Sequence, residues 1–303
     1  MNTAVIDIGT NTLLLLIVDD QLRRVVDLCR FGRLGKGLDA SGNLHPDAIA
    51  KSLDICREYR DVMNEHGVAT PSVIATQAMR EAKNAGDFVG PAEAILRAKI
   101  EIIQGTREAE LAFLSVARSL TDLAGKPYVV VDVGGGSTEF IVTDGARVVS
   151  AVSVPIGAVR LTERHCKSDP ATREQIAALD ADIDHYLARI ALPTGVPLIG
   201  TAGTATTMAA AQLALTTYDP DKVTGLRLEP RTVDELRARL LAASVAEKKA
   251  MPGVEPQRAD VIGAGVAIYA RAMRRIQAPV MITCDRGIRW GLAYERSAKP
   301  QSD

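Results

Sequence analysis

The chain has 303 residues, 47% hydrophobic, 24% charged and only 4% aromatic, with a formal net charge of −1. That length suffices for two domains with cores of their own, the near-neutral charge excludes a general coat for nucleic acid, and the sparse aromatics exclude a base-stacking platform. The four cysteines and four histidines follow no paired spacing, and no apolar run is long enough to span a bilayer. The expectation is therefore a cytoplasmic protein without a zinc site or disulfide framework, and with no nucleic-acid polymer or membrane as partner.

The chain opens on an apolar run carrying Asp7, followed by Gly9, the small polar residues Thr10, Asn11 and Thr12, and a second apolar run from Leu13 to Val18. This is the pattern of a β-hairpin with a small-residue turn. Val25 to Cys29 continues as strand, and Arg33 to Leu38 reads as loop. Between Pro46 and His66, Ile49, Leu53, Cys56, Tyr59 and Met63 recur at helical spacing, and Gly67 supplies a stop. Ser72 to Thr76 is a short strand running into Gln77 to Arg80, where Arg80 can clamp phosphate bidentately. Asp87 to Lys99 reads as helix and Ile100 to Ile103 as strand. The next helix starts at Gln104 to Thr106, with Glu108 and Glu110 near its beginning. Residues two apart on a helix point about 200° apart, so only one of these carboxylates can face a given site. The polar Thr121 to Pro127 stretch reads as a domain boundary, dividing 1–122 from 123–287.

The second half begins with the most informative stretch. Val129 to Val131 leads into Asp132, then Gly134, Gly135, Gly136, Ser137, Thr138 and Glu139, then a further apolar run. A hairpin turn without side chains lets backbone N–H groups approach an anion, and Asp132 and Glu139 flank it where a divalent cation would justify them. The first hairpin has the same grammar and lies about one domain length earlier. Two such hairpins suggest related halves facing each other across a cleft. Further on, Thr172 and Gln175 have capping-box spacing, as do Thr232 and Glu235, the latter ahead of a helix running through Val245. Gly200 to Thr207, including Gly203 and Thr204, is a second small-residue turn at a helix start, able to take an anion or a nucleotide's ribose and phosphates. Strands at 197–199 and 280–283, a helix over 263–276 and a last helix over about 288–303 complete an α/β alternation. Neither a P-loop nor an opening G-x-G-x-x-G is present. Two basic groups stand out, Arg23, Arg24, Arg30, Arg33 and Lys36, and Arg271, Arg274, Arg275, Arg286 and Arg289.

Taken together, Asp7 to Thr12, Ala75 to Ala82, Gly105 to Phe113, Asp132 to Glu139, Gly200 to Thr204, Arg258-Ala259-Asp260 and Asp285-Arg286-Gly287 resemble the exopolyphosphatase / guanosine pentaphosphate phosphohydrolase family over nearly the whole chain. The resemblance implies an actin-like fold of two ribonuclease-H-like domains with a central cleft, the C-terminal helix joining the first domain. It implies Glu108 as the base that activates water, and Asp132 and Glu139 as ligands of Mg2+ or another divalent cation such as Mn2+. Asp7, Gly9, Thr10 to Thr12, Arg80 and Gly134 to Thr138 match the family's phosphate contacts. The implied substrate is inorganic polyphosphate, with guanosine pentaphosphate as alternative. A non-catalytic phosphate or alarmone sensor is the reading from another class, and a sugar or acetate-type kinase has no use for a water-activating Glu108. Departures from the family pattern include Arg107, Glu110, Gln77 and Thr224. Longer members carry helical C-terminal domains beyond the point where this sequence stops, so a preference for short polyphosphate and a homodimer that extends the groove are the expectations.

Overall fold

The structure is a computed structural model and describes residues 2–298. Tertiary contacts gather the chain into two compact units, Met1–Ser115 with the stretch from Ile288 onward, and Val116–Gly287.

The first unit begins with an antiparallel meander, β1 (Thr3–Ile8), β2 (Leu13–Val18) and β3 (Arg24–Arg30). After the single-turn α1 (Leu38–Ser41) come α2 (Pro46–Glu65), β4 (Ser72–Ala75), α3 (Gln77–Glu81), α4 (Gly86–Leu96), β5 (Ile100–Ile102) and α5 (Gly105–Ser119). The sheet order is β3-β2-β1-β4-β5, with β4 parallel to β1 and β5 parallel to β4. β1 and β2 are nearly uninterrupted apolar runs because both of their faces are covered. β3 sits at the edge, where Arg24, Asp27 and Arg30 guard a strand that would otherwise invite pairing. Helix α2 starts with Pro46 in its first turn and buries Ile55, Cys56, Tyr59 and Met63. Tyr59 donates its hydroxyl proton to the Leu13 carbonyl at 2.7 Å, tying this helix to β2.

The second unit repeats the scheme with β6 (Tyr128–Val133), β7 (Thr138–Thr143) and β8 (Val148–Val154). It continues through α6 (Ala158–His165), α7 (Arg173–Leu187), β9 (Leu198–Thr201), α8 (Ala202–Gln212) and α9 (Pro220–Val223). Then follow β10 (Arg227–Leu228), α10 (Pro230–Ala242), α11 (Val245–Ala250), α12 (Ile262–Ile276) and β11 (Met281–Thr283). Its sheet runs β10-β11-β9-β6-β7-β8. Read from β8 to β11, the order and strand directions match those from β3 to β5, and β10 is an added antiparallel edge. Each unit is thus the α/β, ribonuclease-H-like module of the duplicated actin-like fold. The last helix, α13 (Ile288–Ala298), packs on β1 and β2 of the first unit; the end of the expected 288–303 helix, residues 299–303, lies outside the described residues. Among the described residues no helix is long and apolar enough to cross a membrane.

The Thr172–Gln175 capping box forms as expected at the start of α7. The Thr232–Glu235 box does not. Pro230 takes an N-terminal position of α10 and moves the start to Glu229, so Thr232 already lies inside the helix. The helix also stops at Ala242, and a separate Ser244–Glu247 capping box begins α11.

Beneath the second hairpin, the Tyr269 hydroxyl on α12 lies 2.7 Å from the Thr201 carbonyl and 3.0 Å from that of Val131, joining the ends of β9 and β6. Tyr269 is fully buried. Tyr269→Phe is expected to cost about 1–3 kcal/mol, because it strips a donor from buried carbonyls, and the midpoint of urea unfolding measures it.

Candidate active site

The two hairpin turns are built alike. Asp7 and Asp132 are the penultimate residues of β1 and β6. The Gly9 amide closes the first turn on the Thr12 carbonyl at 2.9 Å, and the Gly134 amide closes the second on that of Ser137 at 3.0 Å. In both, the turn carbonyls are held from outside. Thr10 and Asn11 accept from the amides of Gly35 (2.7 Å) and Arg33 (3.0 Å). Gly134 accepts from Ala158 at 2.9 Å, Gly135 from Val159 at 2.8 Å, and Gly136 from the Arg160 Nε at 3.0 Å. Gly157 makes that docking possible, since a side chain there would collide with the Gly135 backbone. With the carbonyls so engaged, the amides of Thr10, Asn11, Gly135 and Gly136 donate to no described residue. Unpaired amides at a tight turn are what a backbone anion site requires.

In the first unit the structure brings Arg80 and Glu108 together. The Arg80 Nη1 donates to the Ile103 carbonyl at 2.5 Å and pairs with the Glu108 carboxylate. Glu108 is only 7% exposed, whereas Glu110 faces solvent and pairs with Arg107 at 3.1 Å. The helical phase of α5 therefore sorts the two carboxylates. Burial pushes the Glu108 carboxyl above its ordinary value, and the Arg80 charge and hydrogen bond oppose that rise. The Thr10 hydroxyl lies 3.4 Å from the Gln77 Oε1, and the Gln77 Nε2 donates to Glu81 at 2.6 Å. Gln77 thus stands in contact with the first turn.

In the second unit the ladder sets Asp132 directly opposite Glu139. Glu139 is buried and accepts on Oε1 from the hydroxyls of Ser137 at 3.0 Å and Ser153 at 2.7 Å. The Thr138 hydroxyl is engaged elsewhere, donating to the Ile156 carbonyl at 2.6 Å. Among the described residues no cluster of three or more His, Cys, Asp or Glu side chains could hold a metal by itself. Two facing carboxylates do fit a hard cation that completes its shell with water and phosphate oxygens. Gly203, in the first turn of α8, lies under the Arg258 guanidinium, which a side chain would displace, and Thr204 packs against Gly265 of α12. Sequence reasoning missed Ser153, and it met Thr201 and Arg258 only as members of the Gly200 to Thr207 turn and the Arg258-Ala259-Asp260 motif. In the two basic groups Arg23 pairs with Asp19, Arg30 with Glu58, Arg271 with Asp184, Arg274 with Asp234 and Arg289 with Asp27.

The Ppx/GppA phosphatase family matches residues 16–299. The chain belongs to that family. It is 33% identical over 290 residues to exopolyphosphatase 2 of Mycobacterium tuberculosis, covering 90% of each chain. It is 27% identical over 299 residues to the guanosine-5'-triphosphate,3'-diphosphate pyrophosphatase of Vibrio cholerae, covering 96% of this chain and 58% of that one. Among solved structures, the Aquifex aeolicus family member aligns at a TM-score of 0.82 with 31% identity, over 100% of this chain and 99% of the other. An exopolyphosphatase from Cytophaga hutchinsonii aligns at 0.89 with 26% identity, over 98% of each.

Because Arg80 offsets the effect of burial on Glu108, Arg80→Met should raise the Glu108 pKa further. Carboxyl-selective NMR titration of wild type and variant would show it, and an unchanged or lowered value would count against the pairing.

Proposed function

We propose that the protein is an exopolyphosphatase that hydrolyses the terminal phosphoanhydride bond of inorganic polyphosphate and releases orthophosphate. The observation that carries this reading is the pair of matched turns whose carbonyls are held and whose Thr10, Asn11, Gly135 and Gly136 amides donate to no described residue. In it, the amides of Thr10, Asn11, Gly135 and Gly136 bind phosphate oxygens while those of Gly9 and Gly134 close the turns, Arg80 neutralises charge, and Glu108 takes the proton of the attacking water. Asp7 and the Thr138 backbone complete the turns, and Gly203 and Thr204 place the start of α8 for a further phosphate or a nucleoside. Phosphoryl transfer needs little beyond such positioning and charge neutralisation, together with a placed base.

Asp132 and Glu139 would hold Mg2+ or Mn2+, which when bound supplies Lewis-acid neutralisation of phosphate charge. Two carboxylates with substrate phosphates as further ligands is the common way of binding Mg2+. A second reading, removal of the 5′ γ-phosphate of guanosine pentaphosphate, is favoured by the Arg258 guanidinium over the first turn of α8, a place where a nucleotide's phosphates could sit. Loss of turnover in a sensor would fit less well with the shielded, ion-paired Glu108.

Glu108→Gln should lower turnover on the order of 10²-fold or more while polyphosphate binding persists, the usual scale for loss of a general base. Glu110→Gln should remain near wild type. A crippled Glu110→Gln or an active Glu108→Gln would refute the assignment of the base.

The pH profile follows from the same group. Glu108 must be ionised to act, and its pKa is raised, so activity should climb with pH along an acid limb lying above the ordinary glutamate value of 4.5. The kcat/KM profile between pH 4 and 8, values chosen to bracket that limb, is the measurement. Asp132→Asn and Glu139→Gln should each raise the Mg2+ concentration needed for half-maximal activity; unchanged metal dependence in both would remove them from the metal site.

A further inference from the structure

The row that carries Asp132 and Glu139 extends beyond the two carboxylates. Strand register places Thr201 of β9 beside Asp132, Asp132 opposite Glu139, and Glu139 opposite Ser153 of β8. Residues paired across a ladder project from the same face of the sheet, so these four side chains form one polar row across four strands. The neighbouring row on that face, Ile199, Val130, Ile141 and Ala151, is apolar throughout. In the first unit the corresponding row is Ile74, Asp7, Leu14 and Cys29, which keeps only the aspartate. The duplicated units have diverged along this row.

Both outer members behave as site residues. Ser153 donates to Oε1 of Glu139, the same oxygen that Ser137 contacts, so two donors fix the orientation of that carboxylate. Thr201 is fully buried, and its Oγ1 has no hydrogen-bond partner. An unsatisfied buried hydroxyl weakens a fold, and native proteins keep few of them.

We propose that Ser153 and Thr201 are positioning residues of the divalent-cation site, Ser153 by fixing Glu139 and Thr201 by offering its hydroxyl to the hydrated cation beside Asp132. This rests on the assignment of Asp132 and Glu139 to the cation. Partners of metal ligands typically matter about 10–100-fold in metal affinity.

The test is direct binding of Mn2+, followed by electron paramagnetic resonance, to the full chain and its Asp132→Asn, Ser153→Ala, Thr201→Val and Thr201→Ser variants. Thermal unfolding in chelator is read alongside. Ser153→Ala and Thr201→Val should each weaken Mn2+ binding roughly 10-fold, with Thr201→Ser close to wild type. In chelator, Thr201→Val should unfold at or above the wild-type temperature, because it removes an unsatisfied hydroxyl. Stability lost with Mn2+ affinity unchanged would make the two residues merely structural and overturn the proposal. Wild-type affinity in Ser153→Ala and Thr201→Val, beside lost binding in Asp132→Asn, would overturn it too. Wild-type affinity in Asp132→Asn would instead bring down the cation assignment beneath it.

Discussion

The two turns can address an anion only because their carbonyl oxygens are bound from outside. A peptide unit presents a donor and an acceptor in opposite directions, and an acceptor facing a phosphate would repel it. In the first unit the loop carrying Gly35 and Arg33 takes the carbonyls of Thr10 and Asn11; in the second the start of α6 and Arg160 take those of Gly134 to Gly136. Different elements thus solve the same problem in the two units. What they share is the hairpin itself, an aspartate one residue before the strand end and a glycine amide closing the turn.

From that common hairpin the units diverge in what they add. The first supplies Glu108, made a stronger base by burial and held by Arg80. The second supplies Glu139 where the first has Leu14, and so gains a pair of facing carboxylates. A base and a cation pair are complementary needs of phosphoanhydride hydrolysis, the reaction proposed here for a member of the Ppx/GppA phosphatase family.

Much of this was legible in the sequence because the hairpins announce themselves locally. An apolar run, an aspartate, glycines and a second apolar run lie within some fifteen residues, and a helix's phase follows from residue spacing, which is how Glu108 and Glu110 could be set on different faces. Contacts between residues far apart in the chain were not legible. Ser153 and Thr201 join the row of Asp132 only through strand register, and Arg258 meets Gly203 only through the packing of distant segments. Local spacing also misled once. Thr232 and Glu235 have the offset of a capping box, but Pro230 at the helix start moves the cap of α10 three residues earlier, to Glu229.

The most direct test is orthophosphate release by the wild-type protein with Mg2+ present, comparing polyphosphate, guanosine pentaphosphate and ATP at equal concentrations of terminal phosphate. Backbone amides that read phosphate oxygens without reading a base predict the highest kcat/KM on polyphosphate and little release from ATP. Release from guanosine pentaphosphate alone, or from none of the three, would contradict the account.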